Sequence, residues 1–216
     1  MGIRTIHYRE TLDAAWEELT YTHARLVAAP LAVDLVPSIE RLLARVDTVA
    51  AGQRAAARGE LVAQAAVDAA DEHLDEAVHE LGLALLRIAG GERTSARFRR
   101  YFAAAPIDVI RLGLASEVAV VRPWIAALRA EAETSLRAFA DRLERDLVAC
   151  DAALAARALA AGASTEHRVR EVVCLIDDIN AARSSLHEVL TTRARERQLP
   201  LAYADRFFRK RGLPVD

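Results

Sequence analysis

Along this chain, apolar residues recur at three- and four-residue intervals and rarely alternate one by one, the mark of helical faces. Thr11 is placed to cap a first helix, whose stripe is Leu12, Trp16, Leu19, His23 and Leu26 and which Pro30 stops. A second stripe, Ile39, Leu42, Val46 and Val49, follows Pro37, a residue that suits the first turn. Gly52 and Gly59 then cost about 1 kcal/mol each against alanine, and a turn is predicted near 56–60. A third helix runs from about Glu60 to Ala89 on Val67, Ala70, Leu74, Val78, Leu81, Leu85 and Ile88, closed by Gly90-Gly91.

The most regular pattern predicts a fourth helix over Val121, Ile125, Leu128, Ala132, Leu136, Phe139, Leu143, Leu147, Cys150 and Leu154. Val121, Ala132, Leu143 and Leu154 share an eleven-residue step, which keeps a helix close to straight and argues against a left-handed coiled coil. Pro123 opens or kinks it. Gly162-Ala163-Ser164 predicts a turn, and a fifth helix follows on Val169, Val172, Ile176, Ile179, Leu186 and Leu190, ending before Pro200.

Two stretches punctuate these helices. Arg97-Phe98-Arg99-Arg100-Tyr101-Phe102 precedes Pro106-Ile107-Asp108, and Asp205-Arg206-Phe207-Phe208-Arg209-Lys210-Arg211 precedes Pro214-Val215-Asp216. Each sets arginines around aromatics where a short helix folds back. Val36-Pro37-Ser38-Ile39 also aligns with Arg122-Pro123-Trp124-Ile125, and Glu72-His73 with Glu166-His167. The expectation is a single all-α domain over 1–216, an up-and-down bundle of two duplicated helical hairpins. Its halves are about 31–106 and 117–216, and they form a four-helix core with accessory helices at each end.

Composition supports the helical reading and narrows the setting. Hydrophobic residues make up 53% of the 216, largely alanine, and aromatics only 5%, which predicts closely approaching helices with thin seams. Two cysteines, Cys150 and Cys174, show no pairing pattern. The first residues lack the apolar core of a leader peptide, and no uncharged apolar run reaches the ~20 residues that span a bilayer. A cytoplasmic protein without a membrane role is expected. Lys210 is the only lysine, which reflects base composition more than a need for guanidinium chemistry.

Candidate chemistry is sparse. Glu76-x-x-His79 is the ligand unit of ferritin-like di-iron bundles, but no second copy exists, and the Leu74, Val78, Leu81, Leu85 stripe turns Glu76 away from the core. A solvated face is the preferred reading of that pair. Between Arg58 and Arg87 there is no basic residue, while Glu60, Asp68, Asp71, Glu72, Asp75, Glu76 and Glu80 fill the interval. A solvated helix face is the preferred reading here too; the alternatives are attraction of a hard cation, a basic partner or the chain's own basic end.

That end holds Arg193, Arg195, Arg197, Arg206, Arg209, Lys210 and Arg211 against Glu196 and Asp205. With a pI near 6.3 for the whole chain, nucleic-acid binding is disfavoured, and Tyr203, Phe207 and Phe208 read as a packed seam. Arg206, Arg209, Lys210 and Arg211 are the candidate partner-binding residues. His23 reads as a hydrogen-bonded boundary residue, Cys150 as an inert core thiol, and Asn180, Arg183 and His187 as a polar row fixing helix packing.

No catalytic triad, phosphate loop or dinucleotide fingerprint is present, so no catalytic residue and no cofactor are assigned. The leading expectation is a non-enzymatic protein acting by self-association or through a protein partner. The alternatives are a ferritin-like metal protein using Glu76 and His79, and, less favoured, nucleic-acid binding by the basic end.

Overall fold

Thr11 accepts a hydrogen bond from the Ala14 amide at 3.3 Å and so opens α1, Leu12–Val27. In the computed structural model, which describes residues 3–209, most of the remaining described chain is helical as well, with no strand among the described residues. The elements are α2 (Val36–Ile88), α3 (Ala96–Arg99), α4 (Pro106–Ile110), α5 (Leu114–Val121), α6 (Trp124–Arg129), α7 (Thr134–His167) and α8 (Cys174–Glu196). Short 3-10 segments precede α2 (Val33–Leu35) and follow α8 (Leu201–Phe207), and a π-helical turn, Arg168–Val173, joins α7 to α8 without a break.

The chain divides into two compact units, one contiguous (Arg58–Gly162) and one made of two pieces (Met1–Ala57 and Ala163–Asp216). Each has its own apolar core. In the outer unit Leu19, Leu26, Ile39, Val46, Leu175, Ile176, Ile179 and Leu190 pack with Phe207 and Phe208. In the middle unit Leu74, Val78, Leu81 and Leu85 of α2 pack with Phe98, Phe102, Val121, Trp124, Leu128 and the α7 face of Leu136, Leu143 and Leu147.

All-α character holds, while two predicted turns are absent and one helix predicted as continuous is broken. No turn occurs at 56–60, because α2 runs unbroken through Gly52 and Gly59. Gly52 has a packing reason: an added Cβ would lie 2.5 Å from His167 Cε1, whose ring contacts the Val49 carbonyl at 3.2 Å. The helix also continues through Gly162. Conversely, the stripe from Val121 to Leu154 is not one helix. Pro123 ends α5, and the chain leaves helical geometry again between α6 and α7, where Glu131 is buried and accepts a hydrogen bond from the Tyr101 hydroxyl at 3.0 Å. Two long helical runs with four short helices between them therefore stand where separate hairpins are predicted.

Both aromatic stretches fold back onto a core. Ser95 caps α3, and Phe98, Tyr101 and Phe102 are buried, with Tyr101 and Phe102 meeting Trp124 edge-on at 6.0 and 4.9 Å. Phe207 and Phe208 are likewise buried, Phe208 beneath the Arg183 guanidinium at 5.6 Å. The continuous helix Thr134–Glu196 is, by length and composition alone, apolar enough to cross a membrane. It nevertheless carries Asp151, paired with Arg122 at 2.8 Å, and Arg157, 3.5 Å from Gln64.

Candidate metal centre

Asp71 and Asp75 stand four residues apart on α2, so both side chains project from one face, beside the apolar stripe of Leu74 and Val78. α5 supplies the third group. Its buried residues are Leu114, Glu117, Val118 and Val121, a single helical face in which Glu117 is the one charged member. Packing that face places the Glu117 carboxylate with those of Asp71 and Asp75, one oxygen from each lying within 4.8 Å of the others.

The group is poorly compensated. Glu117 is 0% exposed, and neither of its carboxylate oxygens has a hydrogen-bond partner; one oxygen each of Asp71 and Asp75 is buried in the same condition. Among the described residues no arginine, lysine or histidine forms an ion pair with any of the three. Burial first, and then the charge of Asp75, push Glu117 up to about 8. Burial also raises Asp71, with Asp75, Asp68 and Glu72 adding to it, and raises Asp75. As ionised groups Glu117 and Asp75 offer each other no donor; a hydrogen bond forms between them only when one carboxyl carries a proton, which burial favours on Glu117.

α7 closes the neighbourhood with Asp146 and Cys150. Asp146 is raised mainly by burial, against the pull of Arg142. The Cys150 thiol donates to the Ala70 carbonyl at 3.6 Å and is pushed up to about 11 by burial and by Asp146 and Glu117. A thiol so protonated is no thiolate ligand. The donor set is three carboxylates without nitrogen or sulfur, which suits a hard cation such as calcium, magnesium or manganese better than zinc or copper.

The candidates weighed in the sequence lie elsewhere. Glu76 and His79 are exposed, and Glu76 is 3.3 Å from Arg142, which also pairs with Glu80. The acidic face is thus met by an arginine of α7. Of that end, Arg206 is exposed with its carbonyl accepting from Arg25 Nε at 3.1 Å, and Arg209 pairs with Glu17 of α1. Lys210 and Arg211 lie outside the described residues. Sequence reasoning marked the acidic stretch holding Asp71 and Asp75 but missed Glu117. The available signal was the spacing Leu114, Glu117, Val118, Val121, which puts a carboxylate in the middle of an apolar face.

The polar row of α8 does what its spacing suggested. Asn180 bonds both the amide and the carbonyl of Ile6 at 2.8 Å, Arg183 pairs with buried Glu18 at 3.2 Å and donates to the Arg4 carbonyl, and His187 lies 2.9 Å from Asp205. His23 sits at the rim of α1, 3.3 Å from Glu40. No protein family, curated protein or solved structure matches this chain.

Proposed function

We propose that this chain is a non-enzymatic helical protein that binds one hard divalent cation in its middle unit through Asp71, Asp75 and Glu117. The observation that carries the reading is Glu117, a carboxylate fully removed from water, without a donor, facing two others. Burying a charge without a partner is costly, and a native structure holds such a group where something else neutralises it. A cation with water in its remaining positions does so in place of the proton that Glu117 otherwise holds. The metal-protein alternative is thereby kept, with its ligands moved from Glu76 and His79 to these three residues.

Calorimetric titration of chelator-treated protein with calcium, manganese and magnesium is the test. One equivalent bound, and loss of binding in Glu117→Gln and in Asp71→Asn, supports the reading. A chain that stays metal-free and unchanged by all three cations removes it.

Self-association stands as a second reading, favoured by Leu61 and Leu159, which are 72% and 76% exposed in the same unit. Light scattering checks it: a mass above that of one chain, returned to one chain by Leu61→Asp with Leu159→Asp. The internal duplication also remains a proposal, supported by the matched Pro37 and Pro123 segments.

A further inference from the structure

We infer, resting on the cation-binding reading above, that the cation acts as a latch: bound, it fastens the run of short helices from α3 to α6 onto α2, and removed, it leaves that contact with carboxyl groups facing each other and no ligand bond across it.

The four helices of this run span 4, 5, 8 and 6 residues. Helices so short do not persist on local propensity, so the segment depends on what it packs against. Its contacts fall into three groups. Within the run and its end, Tyr101, Arg97 and Arg100 gather on Glu131. Toward α7, Arg122 pairs with Asp151 and Arg129 with Glu144, exposed pairs that contribute little. Toward α2, the contact is apolar: Pro106 Cγ lies 2.4 Å from where a Cβ on Gly82 would stand, and Phe98, Phe102, Val118 and Val121 share the core with Leu74, Val78 and Leu81.

Among the described residues, the one meeting of polar side chains between this run and α2 is Glu117 with Asp71 and Asp75. That meeting is unfavourable for ionised carboxylates and favourable only with a positive charge between them. A cation liganded from both helices therefore reverses the sign of one term at the centre of an otherwise apolar contact. Opening the run from α2 separates Glu117 from the two aspartates and destroys the site. Binding and closure are then linked, and cation present at a hundred times its Kd suppresses that opening about 100-fold.

Hydrogen–deuterium exchange on the full chain reads this directly. After chelator treatment and then saturation with calcium, amides of 96–129 should slow by one to two orders of magnitude, while those of α1 and α8 in the outer unit keep their rates. Glu117→Gln, and Asp71→Asn as a second variant should the first misfold, should abolish the response. Stoichiometric calcium binding by calorimetry with unchanged exchange at 96–129 overturns the latch and leaves the site standing. Equal slowing in both units also overturns it, because the ion then stabilises the chain as a whole. Absence of binding by calcium, manganese and magnesium alike removes the site and the latch together.

Discussion

Glu117 on α5 meets Asp75 on α2 with no basic side chain paired to either, and one proton on Glu117 is what the chain itself offers to relieve the contact. That relationship gives a stability profile with a defined sign. The ordinary value for a glutamate is 4.5, and burial and Asp75 raise Glu117 to about 8 in the folded chain. The folded state therefore holds the proton more tightly than the unfolded state. Its contribution is fully present below pH 4.5 and is lost as pH rises toward 8. With a chelator present, the urea midpoint of the wild type should fall relative to Glu117→Gln across this window. The gap should level off above it at roughly 2–4 kcal/mol. Parallel profiles for the two proteins would count against the assignment.

Arg183 and Glu18 form a pair buried to 1% and 5% exposure in the outer unit. Removing one partner strands the other. Arg183→Met should cost about 3–5 kcal/mol, and adding Glu18→Leu to it should recover most of that loss. A double-mutant cycle by chemical denaturation measures the coupling; simple additivity would show that the pair does not act as one.

Glycines inside α2 should respond in opposite directions. Nothing lies within 4 Å of a Cβ built on Gly59, so Gly59→Ala should raise stability by about 0.5–1 kcal/mol. At Gly82 the same atom would sit 2.4 Å from Pro106 Cγ, and Gly82→Ala should lower stability by about 1–3 kcal/mol. Thermal melts of the two variants beside the wild type decide both.

The two thiols should differ sharply. Cys174 is exposed, whereas Cys150 is buried with its thiol pushed up to about 11. A chromogenic disulfide reagent at pH 8 should titrate one thiol in the native chain and two in denaturant. Rapid reaction of both in the native state would contradict the burial of Cys150.

Helix content, the burial of Phe207 and Phe208, and the packing role of Asn180, Arg183 and His187 were all legible in the sequence, because each follows from spacing on a single helix. The breaks were not. A glycine costs about 1 kcal/mol in a helix, which predicts turns at Gly59 and Gly162. So small a cost does not break either helix, and both continue. The reverse error hid the candidate site. A regular stripe from Val121 to Leu154 reads as one helix, but buried Glu131 and its Tyr101 hydrogen bond break it. Only once α5 is separated from α7 does Glu117 stand out as a charge on an apolar face. Which helices meet is a matter of tertiary contact, and no spacing rule states that Glu117 and Asp75, far apart in sequence, come together.

The outer unit is assembled from two pieces of chain, while the middle unit, Arg58–Gly162, is continuous. On a ribosome adding about 5–20 residues per second, the two therefore mature at different moments. The middle unit has every one of its residues once Gly162 has emerged. The outer unit must hold α1 and the start of α2 without partners until α8 follows some seconds later. Its first piece is thus exposed during synthesis for as long as it takes to make the whole of its neighbour, and chaperone contact during birth should concentrate there.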